Sequence, residues 1–143
     1  MCGRKRGDRV LGKQIGEQLG QVTSQRVLPA DGQAPRVEVS FESHGRLLDC
    51  DVDFRGTYVA TAQSDGSLLG EGQGLDMAKD GSMVRWVGQG SGHFTGGGRV
   101  AWRGAIQYCG GTGALASLNG CCALFEYDVD ESGKAEARLY EWT

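Results

Sequence analysis

The chain has 143 residues, a formal net charge of −3, 39% hydrophobic residues and 25 glycines. That length fits one domain with a core of ordinary size, and the apolar content excludes a disordered chain. The acidic balance gives no electrostatic reason to expect nucleic acid or an anionic membrane as partner, and no apolar run nears the ~20 residues of a membrane helix.

Residues 1–15 are polar and glycine-rich and are expected to form a flexible segment ahead of a single domain over 16–143. The basic run Arg4-Lys5-Arg6 reads as a solvated terminus. With no apolar signal-peptide stretch at this end, a cytoplasmic location is expected. A first strand is predicted over 16–28 and ends at Pro29-Ala30-Asp31-Gly32. In the next, Val37, Val39 and Phe41 alternate with Arg36, Glu38, Ser40 and Glu42, the period of a half-buried strand. His44-Gly45 marks a turn or bulge near its end.

A third strand covers 50–63, with Tyr58 and Val59 in its middle, and Ser64-Asp65-Gly66 turns the chain into a fourth over 67–77. Lys79-Asp80-Gly81 leads to a fifth over 83–90, a sixth covers 98–109 and a seventh 121–129. Asp130-Glu131-Ser132-Gly133 turns into an eighth over 134–142. Between the sixth and seventh, Thr112 to Asn119 has a capping residue, helix formers and an Asn-Gly stop, and reads as one or two helical turns. Eight strands joined mostly by hairpins predict an all-β domain, an antiparallel barrel or sandwich.

Glycine recurs at alternate positions in Gly70, Gly72 and Gly74 and again in Gly88, Gly90 and Gly92. One face of each strand then carries no side chains, so backbone or a ligand can approach closely, or the sheet can bend sharply enough to close. An eight-stranded barrel just accommodates a small ligand.

Polar and apolar rows alternate along the later strands. Glu71 and Gln73 oppose the glycines of the fourth strand, Arg85 and Gln89 share a face of the fifth, and Arg103 and Gln107 share a face of the sixth. The opposite face of the sixth carries Val100, Trp102, Ile106 and Tyr108, and in the seventh Glu126 and Asp128 oppose Phe125, Tyr127 and Val129. If the apolar rows line the barrel, the charges face solvent. If the polar rows point inward, Glu71, Gln73, Gln89, Arg103 and Glu126 line a pocket. Glu71 and Glu126 are then candidate acids or bases with Arg103 as charge partner. Trp86, Trp102, Tyr108 and Phe125 either line such a cavity or fill it.

The five cysteines (Cys2, Cys50, Cys109, Cys121, Cys122) fit no zinc or redox spacing and read as reduced fillers, with Cys109 the candidate reactive thiol at a strand end. His44 and His93 are far apart with no shared motif, so no metal site is expected. The glycine runs match neither a phosphate loop nor a dinucleotide fingerprint, and no serine lies in a nucleophile-elbow context.

The segment from Gly88 to Val100 resembles the glycine-rich stretch of the allene oxide cyclase and dirigent barrels, whose pattern is G-G-[ST]-G-x-F-x-G. Gly90, Ser91, Gly92, Phe94 and Gly96 match it, and Gln89 replaces its leading glycine. The whole chain also resembles a set of uncharacterised bacterial proteins through Gly70–Gly74, Gly88–Phe94, Arg103-Gly104 and Glu141-Trp142. The likeness to the plant families covers about a third of the chain and implies an eight-stranded closed barrel, a homodimer or homotrimer, with one apolar cavity. In those families the cavity steers cyclisation or radical coupling of a hydrophobic substrate without a cofactor, but their functional positions have no matching motif in this chain. The reading reached is a barrel that binds a small hydrophobic ligand, with cofactor-free cyclase or isomerase activity. A non-catalytic carrier and a structural oligomer with a filled interior are the alternatives.

Overall fold

A computed structural model describes residues 11–142. Eight strands follow in chain order: β1 (Gln14–Asp31), β2 (Ala34–Leu47), β3 (Cys50–Ala62), β4 (Leu68–Ala78), β5 (Met83–Gly96), β6 (Arg99–Cys109), β7 (Cys122–Val129) and β8 (Lys134–Glu141). A short 3-10 helix, Gly113–Leu118, stands where helical turns were expected. Every strand pairs antiparallel with the next and β8 pairs back onto β1, so the sheet is a closed eight-stranded barrel with no free edge. The first strand begins within the stretch expected to be flexible. Ahead of it the Gly12 N–H donates to the Glu141 carbonyl at 2.9 Å and the Glu141 N–H to the Lys13 carbonyl at 2.8 Å. Cys2 and the basic run Arg4-Lys5-Arg6 lie outside the described residues.

The turns follow local chemistry. Asp65, Asp80 and Asp130 each accept from a backbone N–H two residues on, at 2.9, 2.8 and 2.9 Å, and Gly66, Gly81 and Gly133 follow with φ of 88°, 90° and 86°. The β2–β3 turn has no such signature. It sits at Leu48 and Asp49, with φ of 49° and 64°, while His44 and Gly45 stay in register inside β2. The positive φ is tolerated at Leu48 because its side chain packs against the buried cluster around Leu47 and Val52. Similarly, β5 runs through Gly92 to Gly96 instead of stopping at Gly90.

The apolar and glycine rows face inward and form two clusters. One, at the end closed by the 3-10 helix, gathers Leu47, Val52, Phe54, Val84 and Tyr108 around Leu115 and Leu118 of that helix. The helix is pinned where the Ala114 N–H donates to Ser82 Oγ and the Thr112 N–H to the Met83 carbonyl, at 3.0 and 2.8 Å. The other cluster holds Phe41, Trp102, Tyr127, Ala135 and Ala137, and Trp86 and Phe125 pack against both.

The glycine rows complement the tryptophans. A Cβ on Gly70 would lie 2.6 Å from the Trp102 ring and one on Gly92 2.9 Å from it, while one on Gly74 would lie 2.2 Å from Trp86. None of these three glycines has positive φ, so their role is space rather than conformation. Two indole rings fit inside an eight-stranded barrel because facing positions carry no side chain. We therefore expect Gly74→Ala to destabilise the fold by ~1–3 kcal/mol, through overpacking against Trp86. In urea unfolding, the double variant Gly74→Ala/Trp86→Phe should be more stable than the sum of the two single losses. Strict additivity would contradict the glycine–tryptophan fit.

Candidate functional site

Between the two clusters lies a cavity of about 80 Å³, bordered by Gln18, Phe41, Tyr58, Asp76, Trp86, Trp102, Phe125 and Tyr127 among others. Its walls are mainly aromatic. Phe41 and Tyr127 have ring centroids 5.2 Å apart, and Tyr58 meets Trp102 edge to face at 5.4 Å. Tyr58 and Trp102 also border a second space of about 350 Å³ at the opposite end from the 3-10 helix. Val37, Ala62, Leu68, Phe94, Val100 and Val129 line that mouth, so the Tyr58–Trp102 contact is the partition between mouth and interior.

One carboxylate enters the interior. Asp76 follows Gly70, Gly72 and Gly74 on the inward row of β4 and is 1% exposed. Its Oδ1 accepts from the Trp86 indole N–H at 3.2 Å, and its Oδ2 has no hydrogen-bond partner among the described residues. Burial removes the water that would stabilise the anion and raises its pKa from 3.8 to about 7, against the smaller opposing effect of the Trp86 bond. Gln18 Oε1, Ser43 Oγ and the hydroxyls of Tyr108 and Tyr127 are also buried without partners among the described residues. Desolvation pushes the Tyr58 phenol up to about 12 and raises Tyr127 as well, and it takes Tyr108 well above its ordinary value, helped by the nearby Asp76 charge. These phenols stay neutral at physiological pH, so Asp76 is the interior group able to change charge there.

The rows read from the sequence separate in space. Trp86, Trp102 and Phe125 border the inner cavity, while Tyr108 is buried in the cluster at the closed end. Glu71 and Gln89, paired across β4 and β5, border the cavity beside the glycines but are exposed residues. Gln73 lies on a wide outer groove with Arg55, Arg85 and Cys109. The arrangement in which polar rows point inward is therefore not the one formed, because the aromatic residues and their glycine partners occupy that side. Arg103 and Glu126 belong to an outer ladder. Glu126 stands in register between Arg103 of β6 and Arg138 of β8, 3.6 Å from the first and 3.2 Å from the second, and accepts from the Tyr140 hydroxyl at 3.3 Å. Arg103 also pairs with Asp128 at 2.8 Å. Such half-exposed cross-strand pairs staple neighbouring strands at ~1 kcal/mol or less each.

His44 bonds to Asp53 at 2.9 Å on the surface, and His93 is exposed on β5. Among the described residues no three His, Cys, Asp or Glu side chains cluster as metal ligands, and no helix is long and apolar enough to cross a membrane. Cys50, Cys109, Cys121 and Cys122 are free thiols.

Asp76, Gln18, Tyr58 and Tyr127 were not singled out as site residues in the sequence. A signal for Asp76 was present, since it shares its parity with Gly70, Gly72 and Gly74 and must face wherever they face.

The fold is shared with solved structures. A protein of unknown function from Clostridium acetobutylicum ATCC 824 superposes with a TM-score of 0.76 at 8% identity, over 92% of this chain and 97% of that one. A conserved protein of unknown function from Rhodopseudomonas palustris superposes with a TM-score of 0.71 at 10% identity, over 92% and 96%. At such identities the likeness concerns the barrel alone. No family model and no curated protein matches the chain.

The buried carboxyl makes stability depend on pH. A pKa raised on folding from 3.8 to about 7 means that the unfolded chain releases the Asp76 proton more readily than the folded one. Stability from this group is whole below pH 4, falls as pH rises toward 7, and is flat above, a loss of about 4 kcal/mol. Urea midpoints measured between pH 4 and 8 should decline for the wild type and much less for Asp76→Asn. Equal slopes would mean that Asp76 is not desolvated.

Proposed function

We propose that this protein binds a small, largely apolar molecule inside its barrel, entering by the mouth and passing the Tyr58–Trp102 partition. The observation that carries this reading is the pairing of an aromatic cavity with three lining residues, Gln18, Asp76 and Tyr127, that each hold a buried polar atom with no partner among the described residues. A barrel meant only as a structural unit would be expected to fill that space or to leave it wholly apolar, because each unpaired buried polar atom costs ~1–3 kcal/mol. A ligand carrying one or two polar groups would recover that cost. The mouth adds a second apolar compartment for the rest of such a molecule.

The resemblance to allene oxide cyclase and dirigent barrels adds the idea that confinement itself is useful. Holding one conformer of a reactive substrate lowers the barrier to ring closure without a cofactor. In such an isomerase Asp76 is the proton carrier, since its pKa near 7 lets it give or take a proton at neutral pH. With no reacting partner in the cavity, the same site serves a carrier or sensor. Association into a homodimer or homotrimer is part of this proposal on the resemblance alone.

Native mass spectrometry of the purified protein tests the reading and counts subunits at once. A small molecule should be retained and should be released on denaturation. Ala137→Leu, which adds three carbons to the cavity wall, should fold and lose it. An adduct undiminished by Ala137→Leu, or a wild type without any, would count against the interior as a binding site.

A further inference from the structure

The charge of the cavity narrows what it takes. None of the described residues bordering it is Lys, Arg or His, and two, Asp76 and Glu71, are acidic. The Trp86 indole on β5 bonds to Asp76, the Tyr108 phenol on β6 lies close enough to feel its charge, and the other described residues bordering the cavity are neutral apart from Glu71. An anion would meet a carboxylate with no compensating cation. A wholly apolar guest would leave Asp76 Oδ2 and Gln18 Oε1, both buried and both acceptors, still unpaired. The cavity that Asp76 and Gln18 border is also bordered by Trp86, Trp102, Tyr58, Phe41 and Tyr127, and aromatic faces attract organic cations.

We propose that the cavity is a receptor for a small organic amine in its ammonium form. The ammonium pairs with the Asp76 carboxylate, a side-chain rotation bringing the enclosed Oδ2 to the cavity, and aromatic walls surround its alkyl carbons. This rests on the interior being a binding site at all and specifies the chemistry of its guest. Asp76 is the counter-ion and Trp86 its positioning residue, because the indole N–H holds one carboxylate oxygen and leaves the other free. The cavity of about 80 Å³ suits a head group of a few heavy atoms, with a longer chain reaching past Tyr58 and Trp102 into the mouth.

The test uses n-butylamine and its neutral near-isostere 1-butanol as probes at pH 8. The carboxylate is then mostly ionised and the amine still protonated. Binding is followed through the Trp86 indole N–H signal in proton–nitrogen correlation spectra of the whole protein, with Asp76→Asn as the variant. We expect n-butylamine to bind the wild type at least tenfold more tightly than 1-butanol, and Asp76→Asn to erase that preference while still admitting the alcohol. Equal affinity for the two probes in the wild type, or a preference that survives in Asp76→Asn, would overturn the amine assignment and leave the cavity as a binding site. If neither probe moves the Trp86 signal, the amine assignment and the binding reading fall together. Since the decisive comparison is made within the wild type, it holds even if Asp76→Asn folds poorly.

Discussion

The fit between glycine and tryptophan inside the barrel governs the rest of this structure. Eight strands enclose a space of nearly fixed width, and any residue that points inward competes for it. Trp102 lies over Gly70 and Gly92, and Trp86 over Gly74 and Gly56. If those glycines carried side chains, the indoles would have to leave, and with them the Tyr58–Trp102 partition and the Trp86 bond to Asp76. The cavity, its partition and its one anchored carboxylate therefore all depend on positions that carry no side chain.

That arrangement places Asp76 in a costly position. A carboxyl desolvated enough to titrate near 7 works against folding at neutral pH, and replacement by an apolar residue of similar size would relieve that cost. The barrel nevertheless surrounds the group with neutral aromatic residues and gives it one hydrogen bond out of the several it can make. Its charged side chains are directed to the exterior, where Arg103, Glu126, Arg138 and Asp128 run across three strands. A cation on that outer ladder is already neutralised by neighbours. A cation in the interior would meet an acceptor with nothing else to bond.

Much of this was legible in the sequence because it is local. Asp-x-Ser and Asp-Gly turns, two-residue alternation and the glycine rows set the strands and their order, and short hairpins leave a sheet of this kind only closure as a way to lose its edges. What escaped did so for physical reasons. The turn at Leu48-Asp49 has no glycine or asparagine, because Leu48 is held at positive φ by tertiary packing rather than by backbone preference. His44-Gly45 reads as a turn or bulge, yet the strand passes through it in register, since a glycine in a strand marks close approach as readily as a turn. Glu71, Glu126 and Arg103 carry the right chemistry for a site, but the sequence leaves the direction of their row open. Periodicity gives two faces but not which is inside. The burial of two tryptophans decides it, and that follows from the volume of the closed barrel rather than from any single strand.

The solved structures that share this fold sharpen what the interior means. Barrels superposing over more than nine-tenths of this chain at 8% and 10% identity indicate that the architecture tolerates almost complete replacement of its side chains. The fold by itself therefore carries no activity, and the positions that break the rule of an apolar interior are where this chain departs from what the fold alone requires. Those positions are few: Gln18, Ser43 and Asp76 are the buried strand residues with polar or charged side chains, joined by the hydroxyls of Tyr108 and Tyr127. Ser43 is small and does not border the cavity, and the tyrosines bring large apolar rings that justify their burial without a ligand. Asp76 has neither excuse. Its side chain is short, charged in water and of little apolar value, so its burial is the observation that any functional account of this barrel has to explain.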